Sequence, residues 1–364
     1  MDLSINESTL DQLLKAKNRA GFKEKSWDEL FLQLLKNLEE IKPKNEKLEK
    51  VVNNYFYEKE FDNWVQNFAS NLNNIWKESS AKELVPKDTT YKKEEHSAIV
   101  IGAGPSIKKH RHLELLAQSE YRGSVVCSDR SLEGALRAGV TPDKFPKYYV
   151  ITIDPFEAIR KYYDYKIVDK YGSKINGIFS TLVKPSVADR ARKAKIKIHW
   201  LHTLFDYNEG RKSFNRLTAL MVRTKNQSHR LPAIQTGGNV GTSAWFISWQ
   251  ILKCGTIALI GLNHGWEDDD PLDLIISHGN VGDISKINRD SKTFKKLFPK
   301  IYNPEFKKYC ILDPIFSYYS SAFKEFILRS PSDVTTINAT EGGSIFGERI
   351  TCIKFEKFLS LFSK

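Results

Sequence analysis

Short apolar runs, rich in β-branched residues, recur through the middle of the chain. They lie at Ala98–Ile101, Ser124–Cys127, Tyr148–Ile153, Ile175–Ser180, Ile196–Trp200 and Thr256–Ile260. Because polar residues do not alternate with apolar ones inside the runs, each run predicts a strand buried on both faces, as in a parallel sheet. Most gaps between the runs could hold a helix. The pattern therefore predicts an α/β fold with a mostly parallel open sheet and helices on both faces.

Residues 1–90 have a different pattern, in which apolar side chains recur three or four positions apart. Such stripes run through residues 10–14, 30–38 and 51–76, and they predict amphipathic helices. The polar residues 78–95 then predict a linker. We therefore expect a helical N-terminal region over residues 1–90, whose stripes favour packing or partner docking.

The sheet-forming domain is expected over residues 91–265. Its longest gap, residues 201–235, could hold a helix and a mobile loop. Beyond residue 265 the chain is polar and interrupted by prolines, which predicts an insertion or lid. Residues 266–364 would then complete the domain with a helix at Tyr309–Phe326, an extended piece at Thr335–Asn338 and a helix at Ile353–Phe362.

The composition is typical of a globular protein, since the 364 residues are 41% hydrophobic. A net charge of +12, from 56 basic and 44 acidic residues, favours anions such as nucleotides, although lysine-rich surfaces also serve solubility. The four cysteines form no CxxC pair, so neither a zinc site nor a disulfide framework is indicated. The sequence has no signal peptide, membrane span or specific nucleic-acid motif, and we expect a soluble cytoplasmic protein.

The first predicted strand ends in a glycine loop, within the sequence SAIVIGAGPS. Gly102 and Gly104 would let backbone amides approach a ligand, while Pro105 and Ser106 would begin a helix whose positive end attracts an anion. We expect this loop to bind the phosphate of a nucleotide. The alternative is a tight turn between a strand and a helix.

Carboxylates follow the next two predicted strands: Asp129 follows Ser124–Cys127, and Asp154 follows Tyr148–Ile153. Ligands of open parallel sheets bind beyond the carboxyl ends of the strands. Both side chains should therefore lie with the glycine loop at this carboxyl edge of the sheet, which we call the rim. Each could bind ribose hydroxyls or a Mg²⁺ ion, or merely cap the following helix. Asp129 is a predicted nucleotide contact, and Asp154 is a predicted catalytic residue and metal ligand.

A second glycine-rich turn, TGGNVGT, precedes a long apolar helix. Helix N-termini offer unpaired amides to a ligand. The predicted nucleotide contacts in this turn are Gly237, Gly238, Asn239, Gly241 and Thr242. The alternative is that the glycines allow close helix packing and that a polar residue caps the helix.

Further polar residues lie near the same predicted rim. Asn263 and His264 follow the strand Thr256–Ile260, and Glu341 lies in the later loop NATEGG. Asn263 is a predicted nucleotide contact. His264 and Glu341 are predicted to assist catalysis, because histidine titrates near neutral pH and a carboxylate can act beside it. A structural role is the alternative for each residue.

The ordered motifs IVIGAGPS, PKYYVITIDP and TGGNVGTSAWFISWQILKCGTIALIGLNHG resemble the domain shared by archaeal 6-hydroxymethylpterin diphosphokinases of the MptE-like family and bacterial motility accessory factors. The resemblance covers residues 97–265, and NATEGGSIFG near the C-terminus is similar to the closing motif of the accessory factors. It implies a Rossmann-like sheet, related to that of nonulosonic-acid transferases, with a nucleotide bound at the glycine loop.

The two branches imply different reactions. The pterin branch transfers diphosphate from ATP with magnesium, and its members tend to carry an acidic cluster where this chain has Asp154 alone. The accessory factors are implicated in transferring nonulosonic acid from its CMP-activated form to Ser or Thr of flagellin. The segment IDP and the NATEGG ending are more similar to the accessory factors.

Three hypotheses follow from the residues and the resemblance. The first is a glycosyltransferase of the MptE-like/motility accessory factor type, which takes a CMP- or other nucleotide-activated sugar and a protein or small-molecule acceptor. The second is an ATP- and Mg²⁺-dependent 6-hydroxymethyl-7,8-dihydropterin diphosphokinase. The third is a nucleotide-binding or partner-docking protein without catalytic activity. The motifs favour the first.

Overall fold

The structure, a computed structural model, describes residues 60–88, 92, 95–205, 213–223, 230–278 and 289–362. The chain divides into two compact units, Met1–Phe61 and Asp62–Lys364. The helical stripes predicted before residue 60 lie outside the described residues. The second unit contains the sheet, and its bounds place residues 62–88 with the sheet rather than with the first unit.

The second unit alternates strands with helices. The strands are β1 Ser79–Ser80, β2 Ser97–Ile101, β3 Ser124–Ser128, β4 Tyr148–Thr152, β5 Asn176–Ser180, β6 Lys197–Thr203, β7 Ala233–Ile234, β8 Thr256–Ile260, β9 Lys300–Asn303, β10 Lys308–Ile311, β11 Thr335–Asn338 and β12 Ile350–Cys352. The helices are α1 over residues 62–75, α2 Ser106–Lys109, α3 His112–Gln118, α4 Asp129–Arg137, α5 Lys166–Tyr171, α6 Pro185–Lys193, α7 Phe214–Arg223, α8 Val240–Gln250, α9 Leu272–His278, α10 Lys292–Leu297, α11 Pro314–Arg329 and α12 Phe355–Phe362. Short 3₁₀ helices lie at Ala81–Leu84, Glu157–Tyr163 and Gly172–Lys174.

All of these strands except β9 and β10 form one parallel sheet, in the order β1-β6-β5-β4-β3-β2-β8-β11-β12, with β7 paired to β6. In its centre Ile99 pairs with Val125 on one side and with Ala258 on the other. The chain builds outward from β2 to β6 and then returns to β8 on the opposite side of β2. The strand order therefore reverses between β2 and β8, the switch point at which such sheets bind ligands. The predicted α/β class is confirmed.

Side chains of the central strands alternate between two apolar layers. In β2, Ile99 and Ile101 belong to the layer that α3, α4 and α12 cover, whereas Ala98 and Val100 belong to the layer that α8 and α11 cover. Successive residues of a strand point to opposite faces, so an uninterrupted apolar run is what a sheet covered on both faces requires.

The predicted linker over residues 78–95 is wrong at its start, because β1 pairs with β6 and a 3₁₀ helix follows it. Ser80 begins that helix in a capping box, in which its Oγ accepts the Lys82 amide and the Glu83 side chain accepts the Ser80 amide. A run of two serines gives no apolar signal, so the strand is defined by its partner alone.

The helix predicted at Tyr309–Phe326 begins later. Tyr309 lies in β10, and Asp313 starts α11 by accepting the Phe316 amide through Oδ1 at 2.7 Å. The polar segment predicted as an insertion or lid contains α9, α10 and the antiparallel pair β9 and β10. Among the described residues, none of the helices combines the length and the apolar character that crossing a membrane requires.

Candidate functional site

The glycine loop after β2 packs directly against the loop after β8. The Gly104 amide donates to the Gly261 carbonyl at 2.8 Å, and Ser106 Oγ donates to Asn263 Oδ1 at 2.8 Å. A Cβ at Gly104 would lie 2.3 Å from Asn263 Oδ1, and one at Gly102 would lie 2.3 Å from the Gly261 oxygen. Both glycines are therefore required by the close approach of two loops. Phosphate binding by the same loop stays a prediction.

The helix that follows this loop is short. Pro105 has a helical φ of −62° and leads into α2, which ends at Lys109 after about one turn. Arg111, with φ of 52°, then separates α2 from α3. Because the helix dipole grows from aligned peptide units, one turn supplies little of it. An anion would be attracted here by individual amides more than by a long helix.

Asp129 and Asp154 lie at the ends of the neighbouring strands β3 and β4. Asp129 is only 3% exposed; its Oδ1 accepts the Arg130 amide at 2.7 Å, and its Oδ2 is buried with no hydrogen-bond partner among the described residues. Burial, followed by the charge of Asp154, raises the pKa of Asp129 to about 8. Burial also raises the pKa of the half-buried Asp154 to about 6. Two neighbouring carboxyls with raised pKa values are typical of a functional site.

This carboxylate pair fits a Mg²⁺ ion that also contacts phosphate. Mg²⁺ is usually bound by one or two carboxylates together with water and substrate phosphates. In the part of the chain that the structure describes, no three His, Cys, Asp or Glu side chains are grouped so that they could hold a metal ion. An ion at Asp129 and Asp154 would therefore need oxygen ligands from the nucleotide. Asp154 stays the predicted metal ligand, with Asp129 beside it.

The second glycine turn is ordered by its own side chains at the start of α8. Asn239 Oδ1 accepts the Thr242 amide at 2.9 Å, and Asn239 Nδ2 donates to Thr242 Oγ1 at 3.0 Å. Gly237 and Gly238 have φ values of 57° and 82°, in the left-handed region that glycine adopts without strain. A Cβ at Gly241 would lie 2.7 Å from Leu262 Cδ2, in the loop after β8. Capping and packing thus occupy these residues, and their contact with a nucleotide stays a prediction.

A tyrosine that the sequence interpretation missed lies over this turn. A Cβ at Gly238 would be 2.4 Å from Tyr319 Cε1, on α11. The Tyr319 ring centre lies 6.0 Å from that of His264, and burial together with the charge of Asp154 raises the pKa of its hydroxyl. Tyr319 therefore packs beside the second glycine turn and His264, close enough to Asp154 for its charge to affect the hydroxyl. The only sequence signal is the pair YY in a helical stripe, which by itself predicts packing.

His264 is enclosed by aromatic rings. It is 5% exposed, and its ring centre lies 5.9 to 6.0 Å from those of Phe316, Tyr319 and Phe323. Its φ of 40° belongs to the sharp turn after β8. This environment favours the structural alternative for His264 over the predicted catalytic role.

Glu341 lies in a different cluster. Its Oε1 accepts the Phe355 amide at 3.2 Å and lies 3.4 Å from His112 Nε2, while its Oε2 lies 3.9 Å from His110 Nδ1. Burial acts to raise the pKa of Glu341, but the neighbouring His112 imidazole and the hydrogen bond from the Phe355 amide lower it overall. Glu341 thus lies on the side of α3 and α12, whereas Asp154 and His264 lie near α11.

The comparisons with known proteins concern the family and the fold of the chain. The family model described as 6-hydroxymethylpterin diphosphokinase MptE-like matches residues 66–269, more than half of the chain. The structure of the MAf glycosyltransferase from Magnetospirillum magneticum AMB-1 is similar over 78% of this chain and 39% of that chain, with a TM-score of 0.50 and 14% sequence identity. The chain therefore spans about two fifths of that protein, and the likeness concerns the fold. The comparison with curated proteins gives no match.

The matched residues 66–269 contain the glycine loop, both carboxylates, the second glycine turn and the loop after β8. The loops after β2 and β8 meet at the switch point, and both carboxylates follow strands at the same carboxyl edge of the sheet. The motifs that carried the resemblance are thus the ones that the fold brings together, and the chain belongs to the 6-hydroxymethylpterin diphosphokinase MptE-like family.

Proposed function

We propose that the protein is a nucleotide-dependent transferase whose nucleotide lies at the carboxyl edge beside β2 and β8. The observation that carries the proposal is the pair Asp129 and Asp154. Their pKa values are raised and Asp129 Oδ2 has no partner among the described residues, so the pair is suited to a cation or a sugar hydroxyl. The family description and the fold neighbour both concern enzymes that transfer groups, which supports this class.

The donor is proposed to be a CMP- or other nucleotide-activated sugar of the nonulosonic-acid type. The support comes from the C-terminal segment, beyond the residues that the family model matches. There Gly343 packs on the loop after β8, because a Cβ at Gly343 would lie 2.2 Å from the backbone carbonyl oxygen of Asn263. Asn303 Nδ2 donates to the Gly343 carbonyl at 2.9 Å. The NATEGG motif, which resembles that of the accessory factors, is therefore part of the rim.

Each rim element has a role in this proposal. In this proposal the glycine loop and the turn before α8 surround the phosphate and the ribose, and Tyr319, beside that turn, borders the nucleotide. Asp129 and Asp154 bind ribose hydroxyls or hold Mg²⁺. A bound Mg²⁺ would neutralise negative charge on the departing phosphate. The acceptor would approach from the side of Glu341.

The same pair favours a second candidate, the ATP- and Mg²⁺-dependent 6-hydroxymethyl-7,8-dihydropterin diphosphokinase. In the sequence, Asp154 is the single carboxylate at the position of the acidic cluster of the pterin branch. In the structure, Asp129 lies close enough to Asp154 to be a second carboxylate ligand. Two carboxylates suit an ion that bridges ATP phosphates. The description of the matching family names this activity.

A thermal-shift and calorimetric series would separate the candidates. It compares CMP, CDP, UDP and ATP, each with and without Mg²⁺, and 6-hydroxymethyl-7,8-dihydropterin. Stabilisation by CMP but not by ATP would support the glycosyltransferase, and stabilisation by ATP with Mg²⁺ and pterin would support the diphosphokinase. Either response should weaken in Asp154→Asn and persist in Asp143→Asn, whose carboxylate pairs with Lys174 at the surface. No response to any nucleotide would contradict both and favour a docking protein.

A further inference from the structure

Polar atoms without partners gather on the rim beside Glu341. The side chains come from three segments: His110, at the end of α2, and His112, at the start of α3, follow β2; Glu267 follows β8; and Glu341 follows β11. His110 Nε2, His112 Nδ1 and Glu267 Oε1 are buried and have no hydrogen-bond partner among the described residues. More than nine in ten buried polar groups of native proteins are hydrogen-bonded, so a group of exceptions marks a place where a polar molecule completes the bonding. The nucleotide site proposed above does not use these atoms.

The two histidines are held in a fixed geometry. Their rings are stacked, with centres 5.4 Å apart and an angle of 27°, and the Phe355 ring lies edge-on to His112 at 5.3 Å. The His112 side chain is fully buried, whereas those of His110 and Glu341 are 20% and 16% exposed. His112 therefore forms the inner support of the cluster, whereas the His110 and Glu341 side chains each have some exposed surface.

The charges around His110 suit a proton acceptor. Burial, with Lys308 and His112, lowers the pKa of His110 despite the opposite effect of Glu341 and Glu267. At neutral pH the imidazole is therefore neutral, while Glu341, whose pKa is lowered, is ionised. Lys308 Nζ donates to the Glu341 carbonyl oxygen at 3.1 Å, which keeps this cation on the backbone of the loop.

A further charged neighbour, Lys109, is paired with carboxylates. Its Nζ pairs with Glu267 Oε2 and, at 2.9 Å, with Asp269. Glu267 Oε1 is the carboxylate oxygen that this pairing leaves unused. The cluster therefore presents one unused acceptor on Glu267 and one unused nitrogen on His110.

We infer that His110 is the general base of the transfer reaction and that His110, Glu267 and Glu341 form the subsite for a hydroxyl group of the acceptor. This inference builds on the proposed transferase function. The acceptor hydroxyl donates to His110 Nε2, and a second O–H or N–H group of the same acceptor donates to Glu267 Oε1. Glu341 faces His110 Nδ1, so it favours the tautomer whose Nε2 accepts a proton.

The subsite adjoins the proposed nucleotide site because the same loops run through both. His110 follows Ser106, which contacts Asn263, by about one helical turn. Along the loop after β11, a Cβ at Gly343 would meet the Asn263 backbone, and one at Gly342 would lie 2.8 Å from Glu267 Oε1. The loop thus leads from the nucleotide end of the rim to the acceptor end.

The transfer step balances with these groups. The acceptor oxygen forms a bond to the transferred carbon or phosphorus atom, and its proton passes to His110 Nε2. The bond between that atom and the phosphate oxygen of the donor breaks, and the nucleotide leaves with the electron pair. Glu341 stabilises the imidazolium until its proton passes to solvent. His264 is not available for this role, because Phe316, Tyr319 and Phe323 of α11 enclose its ring.

The test uses His110→Ala in the full chain. Release of CMP from CMP-activated nonulosonic acid, and of nucleotide from ATP with Mg²⁺, is measured in water and with a Ser- and Thr-containing peptide. Removing a general base should lower the rate about 100-fold or more at neutral pH, while calorimetry gives unchanged nucleotide binding. The rise of wild-type activity with pH through the pKa of His110 should disappear, and added imidazole should restore part of the rate.

His96→Ala is the matched control, because His96 precedes β2 at the opposite end of the strand, and it should keep the wild-type rate. Unchanged release in His110→Ala would overturn the inference and leave the proposed function standing. A loss that imidazole does not restore would make His110 structural and would also overturn it. The inference would also be overturned if the wild-type protein bound nucleotide but released no nucleotide from either donor between about pH 5 and 9. If the wild type binds no nucleotide, the proposed function itself fails.

Discussion

At the scale of single residues, the buried carboxyl of Asp129 makes the ligand-free protein sensitive to pH. Its pKa is raised to about 8, whereas an unfolded chain has an aspartate pKa of about 3.9. Because folding favours the protonated form, the stability contribution is complete below about pH 4 and is lost as the pH rises towards 8. Asp129→Asn cannot ionise, so it should unfold less readily than the wild type at pH 8, by about 1 kcal/mol or more.

Urea unfolding at pH 5 and pH 8 measures this difference. The advantage of Asp129→Asn should be smaller at pH 5 and should shrink at pH 8 when Mg²⁺ and a bound nucleotide neutralise the wild-type pair. Asp143→Asn, a change at an exposed ion pair, should show no comparable dependence. Equal pH dependence of Asp129→Asn and the wild type would mean that Asp129 is not held protonated by burial.

Gly104 makes a different prediction at the same scale. A Cβ there would lie 2.3 Å from Asn263 Oδ1 and 2.6 Å from the Gly261 oxygen, so Gly104→Ala must separate the loops after β2 and β8. We expect a loss of about 1–3 kcal/mol in the free energy of unfolding. Gly134→Ala, in α4, is the control: its nearest neighbour would be 4.0 Å away, and alanine favours a helix. Equal effects of the two changes in chemical unfolding would contradict the close approach.

At the scale of elements, α1 holds the loops at the carboxyl ends of β4 and β5. Asn67 Nδ2 donates to the Pro155 carbonyl at 3.1 Å and to the Leu182 carbonyl at 3.0 Å. Since Pro155 follows Asp154, the helix fixes the loop that carries this carboxylate. Asn67→Ala should therefore lower stability by about 1–3 kcal/mol and also weaken nucleotide binding.

Asn71→Ala is matched to Asn67→Ala, because Asn71 Nδ2 donates to the Thr181 and Val183 carbonyls after β5 at 3.3 and 2.7 Å. It should destabilise the protein to a similar degree with a smaller effect on nucleotide affinity. Thermal unfolding and calorimetry on both variants make the comparison. If both lose affinity equally, α1 acts through general stability rather than through the loop of Asp154.

The elements also explain what the sequence predicts well. The central strands are covered on both faces, so each is an apolar run that stands out locally, and Asp129 and Asp154 reach one rim because parallel strands share their carboxyl edge. β1 and β7 have two residues each, and their strand state depends on pairing with β6. Tyr319 and His110 reach the rim because of how α11 and α2 pack on the sheet, and no hydrophobic pattern in the sequence predicts that packing.

At the scale of the whole molecule, the sheet extends beyond the residues that the family model matches. That match ends at residue 269, yet β11 pairs with β8 along four residue pairs and β12 pairs with β11. Trp245 Nε1 also donates to Thr336 Oγ1 at 3.0 Å inside the core. A protein that ends at residue 269 would thus expose the five-residue apolar strand β8 as an edge of the sheet, and exposed apolar edge strands are prone to aggregation.

We expect the chain that ends at residue 269 to aggregate, and the chain that ends at residue 353 to retain the sheet with reduced stability. The second variant keeps β11 and β12 but uncovers the layer that Phe355 and Phe358 complete. Size-exclusion chromatography and thermal unfolding, with the full chain as reference, distinguish the two effects. If the chain that ends at residue 269 unfolds cooperatively at the temperature of the full chain, β11 and β12 are an addition to a fold that is stable without them. If it does not, the C-terminal segment that carries Glu341 is required both for the sheet and for the proposed acceptor subsite, because β11 ends in the loop that holds this residue.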